Sequence, residues 1–516
     1  MPLSLYNTLT RRLEDVTPAS PGLLKVYCCG PTVYDVPHAG HARAALAPDL
    51  LVRRARALGW SVSYVRNITD VDDKILARAE KNGEPPLELS RRMAAVYQDQ
   101  MRALGCVEPD HEPRVSDHLP QIYALIERLI ERGSAYVVDM PDGKRDVYFA
   151  VRSFDGYGKL SRRRLDELIA GARVEQDEHK RDPLDFALWK GGAASDWGWD
   201  SPWGRGRPGW HIECSAMSKH YLGHGFDVHA GGMDLIFPHH ENEIAQSEAA
   251  CPDDGVFARL WMHNGFVNVD KEKMSKSLGN FVTVHDVLER NDAEAFRWFL
   301  LSAQYRGPIQ FDTRKLDDGR VVFPGVDEAE RRVDYLFGAV QRLRALGGRA
   351  GEAAPPAKKP APELAAIATA AERAEHDASR ALDDDLNTPV ALAALGELLR
   401  LSNELADLAQ KRRKDPAFGA ASAALGAELA ARISRVCDGL GLLRATPEQY
   451  AARTRAQRLA LRGLGAERIE EQVRERAAAR AAKDFARGDR IRAELAALGV
   501  TLLDTPTGTD WSVEPG

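Results

Sequence analysis

The chain has 516 residues, 44% hydrophobic and 28% charged, with a formal net charge of −6; these values fit a globular protein of three or four domains and exclude a fibrous or disordered chain. No stretch reaches the length of a membrane span, and the start, Met1-Pro2-Leu3-Ser4-Leu5-Tyr6-Asn7, has no apolar signal-peptide core, so a cytoplasmic location and no membrane partner are expected. The negative total does not exclude a nucleic-acid partner, because local basic patches count for more than the sum.

The segment Leu23–Cys29 reads as a short buried strand stopped by Gly30-Pro31. A helix is expected from near Gly40 toward Gly59, kinked or interrupted at Pro48. Ser61–Arg66 alternates as a second strand. Strand, loop, helix, strand is a βαβ unit, which places a nucleotide site at the carboxyl ends of its strands. Residues from about 119 to 208 read as an insertion into that fold, opening with an amphipathic helix on Ile122, Leu125, Ile126, Leu129 and Ile130. The α/β pattern resumes with Phe226–Ala230 as a strand, Gly231-Gly232 as a tight turn, a helix opening at Pro238, and Phe266–Val269 as another strand.

Beyond about residue 320 strands become scarce, and Ala, Leu and Arg at helical spacing predict a bundle to about 445, broken by a Gly/Ala/Pro-rich stretch (346–362) that looks like a mobile loop. A terminal module follows, with Ile491, Leu495 and Leu498 on one helix face, a strand at Val500–Leu503 and a turn before Trp511. Arg162–Arg164, Lys411–Lys414 and the arginines between 453 and 490 are basic patches; each alone reads as a solvated face.

Three groups of residues carry chemistry. His38-Ala39-Gly40-His41 puts two imidazoles and a glycine at a helix start, where backbone amides and the helix dipole attract phosphate and Gly40 lets a base or ribose come close. Lys273-Met274-Ser275-Lys276-Ser277-Leu278-Gly279-Asn280 offers two lysines and two hydroxyls that can wrap a triphosphate, with Lys276 meeting charge that develops in the transition state. Cys29, Cys214, His239 and Glu243 supply two thiolates, an imidazole and a carboxylate; His239 and Glu243 stand four apart on one helix face. If the four converge they make a zinc shell, either structural or substrate-binding. The other four cysteines, Cys28, Cys106, Cys251 and Cys437, read as reduced thiols.

The first motif resembles the HIGH signature, and the second matches the KMSKS signature, of class I aminoacyl-tRNA synthetases. The blocks Cys29–Asp35, Arg66–Lys74, Gly209–Met217, Phe237–Glu243 and Asp385–Pro389, and the ending from Lys483-Asp484 to Trp511, are similar to those of cysteinyl-tRNA synthetases. The resemblance implies an α/β fold. A Rossmann-type parallel-sheet catalytic domain would span 1–320, with an inserted connective region (about 119–208) and the KMSKS loop at 273–277. An α-helical tRNA-binding domain (321–445) and a C-terminal anticodon-binding module (446–516) would follow. It implies that L-cysteine and ATP give cysteinyl adenylate and pyrophosphate, and that cysteine then passes to the 3'-terminal adenosine of tRNA(Cys).

The resemblance also assigns residues. One zinc per chain would be held by Cys29, Cys214, His239 and Glu243 and would bind the substrate thiolate. His38, His41, Lys273 and Lys276 would be catalytic. Gly40, Gly232, Asp234 and Lys276 would contact ATP with its Mg2+, and Thr69, Trp210 and His211 the amino acid, with Asp70 beside Thr69. A monomer is expected. Metal selection makes physical sense, because shape alone discriminates poorly between near-isosteres such as cysteine and serine, whereas zinc favours a soft thiol; no editing domain is then needed.

Three departures from the family pattern stand out: Ala39 in place of a bulkier apolar residue, Pro48, and Asp318–Gly325, which looks like an extra loop at the domain junction. Two rival readings remain: a cysteine ligase acting on an amino sugar, of the mycothiol-pathway type, which lacks the long C-terminal extension, and a non-catalytic RNA-binding paralogue, which would be expected to lose some of these residues.

Overall fold

The computed structural model describes residues 2–140, 142–164, 179–269, 272–273, 281–317, 319–347, 361–505 and 508–515. Strand β1 (Leu23–Cys28) leads through a loop into helix α1 (Ala39–Ala57) and back through β2 (Ser61–Arg66). Helix α1 runs through Pro48 without the expected interruption. Every residue from Ala45 to Val52 is buried, so packing on this stretch outweighs the backbone hydrogen bond a proline forfeits.

The insertion begins with α2 (Leu119–Glu131), which buries Ile122, Leu125, Ile126 and Leu129. Strands β3 (Ala135–Asp139), β4 (Arg145–Phe149), β5 (Phe186–Gly191) and β6 (Gly206–Pro208) then form an antiparallel sheet in that order. Helix α3 (Trp210–Leu222) and strand β7 (Phe226–Gly232) return the chain to the main sheet. Helix α4 (Glu241–Ala250) and β8 (Ala258–Asn264) complete it.

The main sheet is wholly parallel, in the order β8-β7-β1-β2. The winding reverses between β1 and β7, so the loops after these two strands border the crevice where such sheets bind ligands. Gly231 and Gly232 do not form the expected turn: they extend β7, paired with His263 and Asn264, and the chain turns at Met233–Leu235. A Cβ on Gly231 would lie 2.7 Å from the His240 ring, so this glycine serves close packing rather than a turn.

Strands β9 (Val267–Val269) and β10 (Glu272–Lys273) precede helices α5 (Val284–Arg290) and α6 (Ala293–Leu301); β11 (Ile309–Phe311) then pairs parallel with β9. The junction at 318–325 is not simply a loop. Val321–Val322 pairs antiparallel with Arg314–Lys315, and Pro324 opens helix α7 (Pro324–Gly347). Phe323 fixes this turn by packing edge-on against Phe311, ring centroids 5.5 Å apart; Asp318 lies outside the described residues.

Helices α8 (Pro362–Asp383), α9 (Thr388–Lys411) and α10 (Pro416–Leu440) complete the bundle. Their apolar faces share one continuous core with α1, α6 and α7. Helix α11 (Pro447–Leu461) leads to a terminal module of α12 (Ala466–Ala481), α13 (Phe485–Ala497) and the hairpin β12 (Val500–Thr505) and β13 (Gly508–Val513). Ile491 and Leu495 pack with Val500, Trp511 and Val513 in a separate small core, with Leu498 at its edge.

Candidate active site

Cys29, Cys214, His239 and Glu243 come from four places: the end of β1, the first turns of α3, the approach to α4 and the first turn of α4. Phe237 is extended (φ −141°, ψ 133°), and a single π turn (Ile236–His240) carries His239 into the helix. One donor atom from each residue lies within 4.8 Å of the others. Cys29 Sγ is 3.7 Å from Cys214 Sγ and 3.5 Å from Glu243 Oε1, and His239 Nε2 is 3.1 Å from Glu243 Oε1. A tetrahedral zinc with ordinary bond lengths has edges of about 3.8 Å between sulfurs, about 3.5 Å from sulfur to oxygen and about 3.3 Å from nitrogen to oxygen. The donor set fits that ion in type and in spacing.

The surroundings fit as well. Glu243 Oε2 pairs with His229 Nε2 at 2.9 Å, and His239 Nδ1 lies 2.9 Å from His211 Nδ1, so each of these ligands is oriented through its other polar atom. Behind them His240 Nδ1 meets His263 Nε2, and His263 Nδ1 meets Thr8 Oγ1, each at 2.8 Å. Burial opposes the charged form of Glu243, yet the nearby His229 and His239 outweigh it and hold the carboxyl at about 2. Burial likewise opposes charge on His239, but Glu243 and Cys214 raise it to about 10. The hydrogen bond from Cys29 pulls the Cys214 thiol down to about 6, while burial pushes Cys29 up. Burial keeps His211 and His240 far below the usual histidine range, and therefore neutral.

Gly30 makes the approach of the first ligand loop feasible. A Cβ there would lie 1.6 Å from the Asn67 carbonyl oxygen. The Gly30 N–H donates to Asn67 Oδ1 at 2.8 Å, which fastens the loop after β1 to the end of β2.

The His38–His41 motif forms a reciprocal helix cap on α1. His38 Nδ1 accepts from the Gly40 N–H at 3.0 Å, and His41 Nδ1 accepts from the His38 N–H at 3.2 Å. The rings stack with centroids 3.8 Å apart. With Nδ1 accepting in both, the neutral rings carry their protons on Nε2 and donate from there. The loop is tied to the segment that follows the lysine motif: the Ala39 N–H donates to Val282 O and the Val284 N–H to Pro37 O, each at 3.0 Å. Lys273 contributes its backbone to β10; Lys276 and the rest of that loop lie outside the described residues.

A cleft of about 340 Å³ joins these groups; Cys29, His38, Gly40, His41, Trp210, Gly232 and Asp234 all line it. Of the four metal-ligating candidates only Cys29 reaches the lining; the other three are at most 1% exposed. Thr69 and His211 are not part of the lining. Thr69 Oγ1 accepts from Asn67 Nδ2 at 3.2 Å, and Asp70 accepts from the Ser116 hydroxyl and N–H, so both residues brace the loop. His211 Nδ1 meets His239 Nδ1, and Trp210 lies over the His239 ring at 4.3 Å between centroids. Sequence reasoning gave no role to Arg66, Lys74, Tyr97 or Asn264, which also line the cleft. The signal for two of them was present, since Arg66 and Lys74 bound one of the quoted blocks. Of the brace residues, His240 lay in the quoted block Phe237–Glu243, whereas His229 and His263 carried no local signal.

This is the class I aminoacyl-tRNA synthetase architecture. Mycobacterium tuberculosis methionyl-tRNA synthetase in complex with methionyl-adenylate matches with a TM-score of 0.62 at 18% identity, over 81% of this chain and 91% of that one. Family models match in three places: the class I (C) tRNA synthetase catalytic domain over residues 15–320, the DALR domain over 379–444, and the cysteinyl-tRNA ligase anticodon binding domain over 463–511. Cysteine–tRNA ligases of Anaeromyxobacter sp. (strain K) and Geobacter metallireducens are 49% and 47% identical over 518 and 515 residues, covering 100% of both chains in each case. That of Halorhodospira halophila is 48% identical over 514 residues, 99% of each chain. The chain belongs to the cysteine–tRNA ligase family.

Proposed function

We propose that this cleft carries out both half-reactions of cysteine–tRNA ligation. A carboxylate oxygen of L-cysteine attacks the α-phosphorus of ATP, the bond to the β-phosphate breaks, and pyrophosphate leaves. A hydroxyl of the 3'-terminal ribose of tRNA(Cys) then attacks the cysteinyl carbonyl, and AMP leaves. His38 and His41 donate from Nε2 to phosphate oxygens at the amino end of α1, where the helix dipole adds to their pull. Lys273 and Lys276 neutralise charge on the departing pyrophosphate. Gly232 and Asp234 border the adenosine, and Trp210 walls the amino-acid side. Cys29, Cys214, His239 and Glu243 would hold zinc, which when bound supplies a soft Lewis-acid site that prefers the substrate's sulfur to a serine hydroxyl. In this reading the protein acts as a cytoplasmic monomer, and its bundle and terminal module hold the tRNA.

The observation that carries the reading is the opening of the four-donor cluster, through Cys29, onto the same cleft that the His38–His41 cap lines. The test is cysteine-dependent ATP–pyrophosphate exchange, with serine as control, before and after zinc removal. Exchange with cysteine alone, lost on zinc removal and restored by zinc, is expected. Equal exchange with serine, or exchange indifferent to zinc, would overturn the role given to the cluster.

A further inference from the structure

A second group of metal-ligating side chains lies at the other end of the parallel sheet. His224 sits in the turn between α3 and β7, Cys251 closes α4, and Asp254 ends the short turn Pro252–Asp254 before β8. One ring nitrogen of His224, the Cys251 sulfur and one Asp254 carboxylate oxygen lie within 4.8 Å of one another. The cleft is at the far end of β7, seven residues or about 20 Å away.

Two further observations point to a ligand. His224 Nε2 lies 3.1 Å from the Gly255 carbonyl oxygen, an acceptor, so Nε2 carries the proton and Nδ1 keeps its lone pair. That Nδ1 is buried without a hydrogen-bond partner, a condition that costs stability unless the lone pair is used. A histidine with one nitrogen held by a backbone carbonyl and the other buried and unpaired keeps a nitrogen lone pair available to a metal. Cys251 is 2% exposed, and Lys219 Nζ donates to its sulfur at 2.9 Å; the ammonium can keep that hydrogen bond to a metal-bound thiolate. We propose that His224, Cys251 and Asp254 bind a divalent ion of the zinc class. The ion would staple the α3–β7 turn to the α4–β8 connection. Imidazole, thiolate and carboxylate are zinc donors, and with three protein ligands the exposed Asp254 side leaves one position for water.

The test is metal content of the full-length protein after incubation with excess zinc and desalting. Two zinc ions per chain are expected. Cys251→Ser and His224→Gln should each drop the count by one and leave cysteine-dependent exchange unchanged, whereas Cys214→Ser should drop the count by one and abolish exchange. Asp254→Ala, at an exposed position, should lower occupancy of the second ion alone. With cobalt(II) in place of zinc, the wild-type spectrum minus that of Cys251→Ser should show a thiolate-to-cobalt charge-transfer band. A wild-type count of one that Cys251→Ser leaves unchanged overturns the site, as does a count of two that none of the three substitutions at this trio lowers. A count of one that disappears with Cys251→Ser but survives Cys214→Ser supports this site and overturns the active-site cluster, so the two readings fail separately.

Discussion

Glu243 is shared between two environments. Its Oε1 faces Cys29 and His239, while Oε2 is held by His229 at 2.9 Å. Removing that brace in His229→Ala leaves all four donors in place but lets the carboxylate rotate. Zinc affinity, measured by competition with a chromophoric chelator, should fall about 10- to 100-fold; an unchanged affinity would strip His229 of this role. His263 makes a different prediction. Burial, with His229 adding to it, lowers its pKa from 6.5 to about 3. A histidine whose folded pKa is depressed favours the folded state fully above its unfolded value, and that contribution is lost as pH falls from about 6.5 toward about 3. At pH 5 the loss is about 2 kcal/mol. His263→Asn should therefore flatten the fall in urea midpoint between pH 7 and pH 5; a slope equal to wild type would refute it. At this scale the four cluster residues were legible because their types alone state a chemistry. His229 and His263 were not, since nothing local distinguishes a bracing histidine from any other. Thr69 was read as facing the substrate because it ends a strand on the right side; that its Oγ1 also accepts from Asn67 Nδ2 is a contact strand position does not announce.

Helix α1 carries the histidine motif on its first turn, so its anchoring sets where those rings stand. The Arg43 guanidinium donates to the carbonyls of Leu300, Ala303, Gln304 and Gly307. Asp49 accepts from the Val107 N–H at 2.7 Å and pairs with Arg297. Arg297, fully buried on α6, also donates to Leu440 O at 2.6 Å at the end of α10. This one pair therefore links the catalytic helix to the bundle. Asp49→Ala would strand a buried guanidinium without its countercharge, at a cost of about 3–5 kcal/mol. Chemical denaturation should show that loss; a change under about 1 kcal/mol would mean that the carbonyls alone satisfy Arg297. The order and type of the elements here followed from periodicity. Their continuity did not: a helix was expected to kink or be interrupted at Pro48 and a strand to end before a turn at Gly231-Gly232. In both places burial between layers decided the outcome, and the identity of the facing layer is not written in the local sequence.

At the scale of the whole molecule, the catalytic domain read from sequence ends at residue 320, so a fragment cut there would activate cysteine if it folds. The packing argues against its folding alone. Phe296, Phe299 and Leu300 of α6 share one core with Val333, Leu336 and Phe337 of α7 and with Leu440. Asp385, in the turn between α8 and α9, accepts from the Tyr6 N–H and the Tyr305 hydroxyl, each at 2.8 Å, and pairs with Arg306 at 2.6 Å. A cut at 320 would open that core and leave Arg297 without Leu440, so fragment 1–320 should fail to give a cooperative melt. The terminal module differs, because Ile469, Ile491, Leu495, Val500 and Trp511 close a small core of their own. Its tie to the body runs mainly through α11, where Arg458 bridges Glu330 and Asp334 to Val513 O. Fragment 1–463 keeps α11 and the whole shared core. It should retain cysteine-dependent exchange while kcat/KM for charging tRNA(Cys) falls at least about tenfold, the scale of losing one or two base contacts of about 1–3 kcal/mol each. Charging at the full-length rate by 1–463 would remove the terminal module from tRNA recognition. Loss of exchange along with charging would instead make the module part of the catalytic fold, through the Arg458 bridge.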